Sequence, residues 1–387
     1  MPSVVYYGSP RQARLEASET LPAKLDLILD RLHLRERVKG ESVVIKIHSG
    51  GNIGYSTIHP VFIRKVVQAV KDGGGKPFVG DINLDVADAQ ARGYTQETLG
   101  CPIYPVAGPN DRYYYPIERS YKSIKLWEMA GMIKDASFLV NFAHIKGHPF
   151  TGFGGCIKNL ALGAMTGRTR SAMHDTCEYD RYWFSEKCPD DETRERIKAA
   201  CPFGALVDDR DHPGELHLHL NNCNQCMRCM QVAPPGSLKI DPVNFHTFME
   251  SNAISTSLVL DTFEPGKAIH LSLAVQLTPV CDCFGFTSMP ILPDAGIFGS
   301  DDIIAIEQAV LDVTAKSRLI EENIPTSLEV HTRQGHPFAW LHGPYKDPYK
   351  VVEYGEQLGL GSRDYKLVDV LPVEEIQPAP MGYIPAN

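Results

Sequence analysis

The sequence lacks the long apolar runs that membrane proteins carry. No stretch of about 18 consecutive apolar residues occurs, and the opening residues MPSVVYYGSPRQ contain no apolar core of a secretory signal. Basic residues are in deficit, because 38 Lys and Arg stand against 47 Asp and Glu. A nucleic-acid surface is therefore not expected, and we predict a cytoplasmic protein that binds no membrane.

The fingerprints of common nucleotide cofactors are also missing. The segment GGCIKN lacks the G-x4-G-K-[ST] order of a phosphate-binding loop, and no flavin or nicotinamide fingerprint occurs. Ten cysteines are present instead. In an unexported chain of this length they indicate metal and redox ligands rather than a disulfide framework.

Three of these cysteines stand at the spacing of iron–sulfur ligands. Cys223, Cys226 and Cys229 match the first three ligands of the ferredoxin run C-x2-C-x2-C-x3-C-P. The fourth position is Ala233, although a proline still follows it. In two-cluster ferredoxins the fourth cysteine of each run binds the other cluster, so Cys201, which also precedes a proline, would complete the set. We predict one [4Fe-4S] cluster on these four cysteines.

A structural zinc site on the same four thiols is the alternative. Successive x2 spacings crowd a tetrahedral ion, and the Cys-Pro pairs have no role at zinc. Should Cys201 not be a ligand, Cys188 is the next candidate because it also precedes a proline. Cys101 and Cys177 have no partner at ligand spacing.

The remaining pattern predicts an α/β fold. Strands are expected at 3–7, 42–47, 76–81, 137–142 and 269–277, and helices at about 21–37, from 60 to the glycines at 73–75, at 121–133 and at 301–316 with Ser300 as N-cap. Strands that alternate with helices predict a mainly parallel sheet with crossover helices. The cluster segment is expected to form a small ferredoxin-like α+β insert.

This interpretation divides the chain into four segments. The α/β domain would comprise 1–185 and 246–325, and the insert 186–245 would interrupt it. The tail, 326–387, is rich in Pro, Tyr and Gly. We expect it to be irregular, and either to wrap the surface or to bridge to a second subunit of a homodimer.

A polar loop follows the strand predicted at 137–142. It carries His144, Lys146, His148, Lys158 and His174 among several glycines, together with two arginines, Arg168 and Arg170. Loops after parallel strands are where α/β sheets place ligands. Each histidine alone is more often structural, but their density predicts a site. We expect Lys158 and Arg168 to bind an anionic group, and His148 or His174 to move protons or bind metal.

A third group follows the strand predicted at 269–277. Cys281 and Cys283 flank an aspartate, and Asp294 follows in a turn bounded by proline. Alternate residues of an extended segment face the same way, so both thiols can meet one substrate or second metal. Two inert buried thiols are the alternative. His217 and His219 also alternate, and we interpret them as one face of a strand in the insert.

These residues resemble the family called domain of unknown function 362. The resemblance rests on NFAHIKGHPFTGFGGCIKN, VCDCFGF and PILPDAGIFGSDDIIAIEQA. Many members carry a ferredoxin-like insert, and the family name implies no reaction. A weaker similarity to the N-terminal domain of nickel-dependent lactate racemases would match Lys158 to the lysine at the pyridinium cofactor and His174 to the nickel ligand. There glycine directly precedes the lysine, whereas Cys156 and Ile157 intervene here, so the similarity implies the fold rather than the cofactor.

Two functions fit the sequence best. The first is a cytoplasmic oxidoreductase in which the cluster passes electrons to a small anionic substrate or a second metal centre, with Lys158, His148, His174 and Cys283 as catalytic residues. The second is an electron-carrier or cofactor-maturation protein that serves a partner and has no substrate of its own. A cluster that only stabilises the insert is a third reading. A metabolite-sized pocket in which Lys158, His174 and Cys283 converge would favour the first.

Overall fold

The computed structural model describes residues 2–176, 182–219, 222–223, 226–241, 245–343 and 346–376. Cys177 lies outside these residues. The fold is mixed α/β and is built on one sheet of eight strands in the order β14-β1-β13-β12-β7-β2-β3-β4. In chain order these strands are β1 (Ser3–Gly8), β2 (Ser42–Lys46), β3 (Lys76–Asp81), β4 (Ile103–Pro105), β7 (Phe138–His144), β12 (Ala268–Ala274), β13 (Gly296–Ser300) and β14 (Tyr365–Asp369).

The sheet is mainly parallel, as the sequence predicts. Only β13 runs against its neighbours β1 and β12. The long helices are α1 (Leu21–Arg31), α3 (Pro60–Asp72), α11 (Phe245–Leu260) and α12 (Ile303–Thr314). Shorter helices are α2 (Leu34–Arg37), α4 (Asn83–Ala91), α5 (Gln96–Leu99), α6 (Gly131–Lys134), α7 (Cys156–Ala161), α8 (Gly167–Asp175), α9 (Asp191–Ala199), α10 (Arg228–Val232), α13 (Pro337–His342) and α14 (Tyr349–Gln357).

Helices cover both faces of the sheet, so its strands are buried on two sides. Val43 and Ile45 point into one core, with α1 and α3, while Val44 points into the other, with α7, α11 and α12. Alternate residues of a strand face opposite sides, and here both sides are apolar. This explains why SVVIK is a continuous apolar run ending in one lysine.

The helix predicted at 121–133 is wrong. The chain instead forms an antiparallel hairpin of β5 (Tyr114–Tyr121) and β6 (Ile124–Ala130). Trp127 and Met129, two residues apart, are both buried, which is the period of a strand. Lys122 turns the chain with a positive φ of 51°. Only the last part of the prediction, α6, is helical.

Two other expectations need correction. The N-cap of α12 is Asp302, which accepts hydrogen bonds from the amides of Ile304 and Ala305 at 2.8 and 3.0 Å, rather than Ser300. The segment after 326 is more regular than its composition suggests, because it contributes α13, α14 and the edge strand β14, which pairs in parallel with β1. In the described residues, no helix is long and apolar enough to cross a membrane.

The segment that carries the clustered cysteines forms a small unit of its own. It contains α9, α10 and an antiparallel pair, β10 (Leu206–Asp208) and β11 (Leu216–Leu218). A separate core of nine buried residues runs from Trp183 to Ile240. Its two ends lie side by side, since Trp183 bridges to Leu238. His217 and His219 are both exposed, with ring centroids 4.6 Å apart, so they share one outer face as expected.

Candidate functional site

A cavity of about 470 Å³ opens at the carboxyl ends of β2, β3 and β7. Metabolite-sized pockets have this volume, and this edge of a parallel sheet is where α/β proteins bind ligands. The titratable and basic side chains that line it come from several distant parts of the chain: Lys46, His48, Asp81, Asp85, His144, Lys146, His148, Lys158, Arg170, His174 and Cys283. All four predicted catalytic residues, Lys158, His148, His174 and Cys283, therefore lie around one cavity.

A buried ion pair joins the ends of β2 and β3 at the base of the cavity. The Nζ atom of Lys46 lies 2.8 Å from Oδ1 of Asp81, and both side chains are 1% exposed. Oδ2 of Asp81 accepts hydrogen bonds from the backbone amide and the hydroxyl of Ser49, at 2.7 and 2.9 Å. Asn159 on α7 also accepts from Lys46 at 3.1 Å. Burial lowers the pKa of Lys46, and Asp81 opposes this effect.

His48 connects this ion pair to the cysteines. Its Nδ1 atom lies 3.3 Å from Oδ2 of Asp85 and 3.6 Å from Oδ2 of Asp81, while its Nε2 atom lies 3.4 Å from Sγ of Cys281. Burial lowers the pKa of His48, but Cys281 and the two carboxylates outweigh burial and raise it to about 10. The imidazole therefore stands between an acidic pair on one side and a thiolate on the other.

Cys281 and Cys283 differ sharply although one residue separates them. A short 3₁₀ turn, Asp282–Phe284, follows Cys281, and Sγ of Cys281 accepts a hydrogen bond from the amide of Cys283 at 3.5 Å. Burial alone would raise the pKa of Cys281, but the hydrogen bond from the Cys283 thiol and the charges of Lys158, Lys146 and His48 hold it well below its usual range. The same hydrogen bond to the Cys281 thiolate raises the pKa of Cys283. The pair thus presents one thiolate and one thiol.

Lys158 is the cation nearest to the thiolate. It is the third residue of α7, and its Nζ atom lies 3.6 Å from Sγ of Cys281. Burial lowers its pKa, but the two cysteines outweigh burial and raise it. The ammonium group therefore stays charged at the cavity wall.

His148 is fixed in one tautomer by the backbone. Its Nδ1 atom accepts hydrogen bonds from the amides of Phe150 and Thr151, at 3.0 and 3.2 Å. The proton of the neutral ring must then be on Nε2, which lies 3.5 Å from Sγ of Cys283. Burial, followed by the charge of Lys158, holds the pKa of His148 well below its usual value. This geometry suits a hydrogen-bond donor to Cys283 and does not suit the metal-binding role considered for His148.

His174 lies in an aromatic slot at the rim of the cavity. Its ring stacks on Phe248 at 4.5 Å and meets the edge of Phe150 at 4.6 Å. Burial, with Lys158 and Arg170, lowers its pKa to about 3, so the ring is neutral. Its buried Nδ1 atom has no hydrogen-bond partner in the described structure. A ligand in the cavity would meet a neutral imidazole here.

The cationic residues of the cavity are not quite those predicted. Lys146 is 2% exposed, and it lines the cavity together with Lys158 and Arg170. Arg168 does not line it, because its guanidinium lies outside, 2.7 Å from Glu128 and over the ring of Tyr114. Arg170, two residues further along α8 and therefore on the opposite side of the helix, takes the inner position.

Asp294 is likewise remote from the chemistry. Its Oδ1 atom accepts the amide of Gln276 at 2.7 Å, and Gln276 has a positive φ of 50°. A carboxylate that satisfies the backbone of a strained turn has a structural role. Asp294 therefore shapes the loop that leads to Cys281.

Buried Glu307 anchors the start of α7 below the cavity. Its Oε1 atom accepts the amide of Cys156 at 2.6 Å, at the positive end of the helix. A Cβ atom on Gly155 would approach this carboxylate to 2.4 Å, so only glycine fits between them. Burial raises the pKa of Glu307 to about 8. The thiol of Cys156 is fully buried, and burial raises its pKa well above the usual value, which makes it inert.

The four cysteines predicted to bind a cluster come together in the insert. Burial and the neighbouring thiols of Cys223, Cys226 and Cys201 raise the pKa of Cys229 to about 12. Sγ of Cys201 also accepts the amide of Ala205 at 3.2 Å. The thiol of Cys188 donates to the carbonyl of Asp190 at 3.5 Å. The four cysteines of the predicted set thus lie close enough to act on one another.

The loop that carries Cys223, here called the cysteine loop, lies against the cavity. Asn222, which directly precedes Cys223, is one of the residues that line the cavity. The ring of Phe203, two residues after Cys201, lies 6.2 Å from that of Phe284, which in turn lies 6.0 Å from the imidazole of His148. The insert and the sheet edge therefore form one continuous site.

Sequence reasoning missed His48, Asp81 and Asp85. His48 follows a predicted strand and begins a polar turn, and Asp81 ends another strand. Both positions are where parallel strands place ligands, so the signal existed. The sequence does not show that β2 and β3 lie next to the loop at 281–284, because this proximity depends on the order of the strands in the sheet.

Comparison with known proteins identifies a family and little more. Residues 43–312 match the family described as Domain of unknown function (DUF362). No curated protein matches the chain. A lactate racemase apoprotein from Thermoanaerobacterium thermosaccharolyticum is similar over 70% of this chain and 51% of that chain, with 11% sequence identity and a TM-score of 0.34. The chain thus spans about half of that structure, and so faint a likeness carries no inference about chemistry.

Proposed function

Since the chain belongs to the DUF362 family, whose description names no reaction, we propose a function from the site itself: an iron–sulfur oxidoreductase that reduces a small anionic substrate. The insert would hold one [4Fe-4S] cluster on Cys201, Cys223, Cys226 and Cys229. The substrate would bind in the cavity at the edge of the sheet. A redox protein would serve as the electron donor.

The arrangement of the four thiols fits such a cluster. Burial, followed by the charges of the neighbouring thiols, raises the pKa of Cys229 to about 12, and a cationic metal centre would offset the repulsion between thiolates. Zinc on four thiolates is the alternative occupant. The two x2 spacings within 223–229 and the proline after Cys201 favour the iron–sulfur cluster instead.

The observation that carries the proposal is the contact between the cysteine loop and the cavity. Asn222 and the pair Phe203–Phe284 connect the insert to the cavity wall. A cluster that only stabilised the insert would not need a place beside a ligand pocket. When bound, the cluster would supply electrons one at a time, so a two-electron reduction needs two successive electrons from the donor protein and two protons.

The charges of the cavity favour an anionic substrate. Lys146, Lys158 and Arg170 line one space, whereas Lys46 is already paired with Asp81. Lys and Arg bind carboxylates and phosphates through charge-assisted hydrogen bonds. His148 would keep its Nε2 proton directed at Cys283, and neutral His174 would accept a hydrogen bond from the substrate.

The first test measures iron, acid-labile sulfide and zinc in protein purified without oxygen, with visible spectra before and after dithionite. We expect about four irons and four sulfides per chain, with bleaching on reduction. Stoichiometric zinc without sulfide would overturn the proposal.

The second test examines the substrate site. The dithionite-reduced protein is mixed with a panel of carboxylates and phosphate esters. We expect one class of these compounds to accelerate reoxidation of the protein. Lys158→Gln should lose this acceleration and exposed Lys39→Gln should keep it, and this result would support the substrate site.

The carrier function remains the second candidate because of one observation. Cys201, Cys226 and Cys229 are only half-buried, so a partner protein can approach the cluster. A carrier would exchange electrons with its partner at the same rate in wild type and in Lys158→Gln. An enzyme would show a defect in substrate turnover with this variant and unchanged exchange with the donor.

A further inference from the structure

A second group of metal-ligating atoms lies at the base of the cavity, outside the insert. The ligand atoms of His48, Cys281 and Cys283 are all within 4.8 Å of one another. We propose that these three side chains bind one thiophilic divalent cation, such as Zn²⁺, Co²⁺ or Ni²⁺, with one coordination position open to the cavity. This proposal adds a second metal to the proposed function, but it does not require the cluster to exist.

The spacing fits a tetrahedral ion. Metal–sulfur and metal–nitrogen bonds of about 2.3 and 2.05 Å at the tetrahedral angle separate nitrogen from sulfur by about 3.6 Å. Nε2 of His48 and Sγ of Cys281 are 3.4 Å apart. Little movement of these two side chains would therefore be needed. Cys283 is exposed to the cavity, so its side chain has room to turn toward the same ion.

The imidazole is oriented as a metal ligand. Metal-binding histidines usually direct their other nitrogen at a carboxylate, and Nδ1 of His48 lies 3.3 Å from Oδ2 of Asp85. That oxygen is buried and has no other hydrogen-bond partner in the described structure. A proton on Nδ1 would satisfy Asp85, and the metal would take the place of the Nε2 proton that faces Cys281. Asp85 is therefore a positioning residue for His48.

The surrounding charges suit two bound thiolates. Lys158 lies 3.6 Å from Sγ of Cys281, and the Nε2 proton of His148 points at Sγ of Cys283 over 3.5 Å. Hydrogen bonds to ligand sulfurs are common around metal–thiolate centres. Softer sulfur and imidazole ligands select Zn, Ni, Co or Cu over Mg or Ca.

A competing set shares His48 but is less suitable. The ligand atoms of His48, Asp81 and Asp85 also lie within 4.8 Å of one another. Both oxygens of Asp81 are already occupied, Oδ1 by Lys46 and Oδ2 by the amide and hydroxyl of Ser49. An ion there would have to displace a buried ammonium group. In the described part of the chain no fourth His, Cys, Asp or Glu joins the thiolate set, and three protein ligands with an open position are typical of catalytic rather than structural sites.

Cobalt is the probe, because thiolate-to-cobalt charge transfer reports sulfur ligation directly. The full-length protein, purified without oxygen and with iron and sulfide measured in the same sample, is titrated with CoCl₂ and desalted. We expect one cobalt per chain with two sulfur and one nitrogen ligands by X-ray absorption. Cys283→Ser should lose half of the charge-transfer intensity, His48→Gln should lose bound cobalt, and Asp85→Asn should weaken cobalt binding about 10- to 100-fold.

The controls separate this site from the insert. Cys101→Ser and His212→Gln change a thiol and an imidazole far from the cavity, and both should bind cobalt like wild type. Cobalt that persists unchanged in Cys283→Ser, or that disappears in Cys226→Ser instead, would overturn the proposal. So would loss of iron and sulfide together with cobalt in Cys283→Ser. Normal cobalt binding in protein without iron or sulfide would sustain this site while overturning the iron–sulfur function. Because Cys283 is exposed, its variant should fold, and a wild-type circular dichroism spectrum checks this.

Discussion

The two cysteine-rich regions of the molecule are built in opposite ways. The insert draws its four thiols from one stretch, 201–229, and packs them on a core of nine buried residues. The cavity draws its side chains from 46 to 283 and rests on two large cores, one on each face of the sheet. The first region is defined locally, and the proposed cluster would stabilise it, as metals stabilise other small metal-binding units. The second is preorganised by the whole fold.

Removing a ligand should therefore affect the two regions very differently. In Cys226→Ser we expect complete loss of cluster absorbance and rapid proteolysis within 182–241, while the thermal transition of the α/β domain remains. The physical reason is that nine buried residues bury too little apolar surface to hold the unit without its metal. Limited proteolysis with mass spectrometry measures this. Cys188→Ser, at a half-buried thiol of the same unit, is the matched control, and an insert equally resistant in both variants would contradict the comparison.

The buried pair of Lys46 and Asp81 should respond strongly to the loss of one charge. Asp81→Ala leaves Lys46 buried without its counter-ion, and removing one partner of a buried pair costs about 3–5 kcal/mol of unfolding free energy. Urea denaturation of the α/β domain measures the change. Asp301→Ala removes a surface partner of Arg37, where Asp301 is 62% exposed, and should cost at most about 1 kcal/mol. Equal costs would show that the pair at the sheet edge is not truly buried.

Glu307 should make the stability of the α/β domain depend on pH. Its pKa is about 8 in the folded chain and about 4.3 in an unfolded one. Between these values the folded state holds a proton that the unfolded state has released. The unfolding free energy should thus fall as pH rises through this window, by at most about 1.4 kcal/mol per pH unit.

Glu307→Gln has no proton to lose, so this part of the decline should vanish. Urea titrations at pH 5 and pH 8 measure the difference between variant and wild type. Exposed Glu329→Gln should keep the wild-type slope. A decline of the same size in Glu307→Gln would assign the pH dependence to other groups.

The smallest expected effect concerns the contact between the two regions. Phe203→Leu removes one ring of the pair with Phe284 at 6.2 Å. An aromatic pair contributes about 0.5–1.5 kcal/mol beyond its area, so the insert should be cleaved a few-fold faster by protease and the α/β transition should not move. Tyr55→Leu, at a ring that is 67% exposed, should change neither. An unaltered cleavage rate in Phe203→Leu would mean that the insert does not depend on this contact.

The contrast between a locally defined insert and a cavity built from distant residues explains which features could be predicted from the sequence. Strands β1, β2, β3, β7 and β12 were predicted to within three residues, because buried parallel strands appear as short apolar runs such as SVVIK. The grouping of the four cysteines followed from the x2 spacing of three of them and from the proline after Cys201. His48 and Asp85 were not predicted, since nothing local indicates that residues more than 190 positions before Cys281 lie beside it. The hairpin at 114–130 was mistaken in part for a helix because its apolar residues also fit helical spacing over a short window, and β13 was missed because it is short and contains two glycines.

The edge of the sheet has a consequence for how the protein is made. Among the described strands, β1 pairs with β13 and β14, which follow it by about 290 and 360 residues. At roughly 5–20 residues per second, a ribosome needs on the order of 20–70 seconds to deliver these partners. During that time the nascent chain carries SVVYYG, a β-prone segment whose partner strands have not yet been synthesised. Chaperones that bind extended peptides would bind such a segment. The inner strands β2, β3 and β7 can pair much earlier than β1, so the base of the cavity can form during translation. The border of the sheet that contains β1 can form only near the end of synthesis.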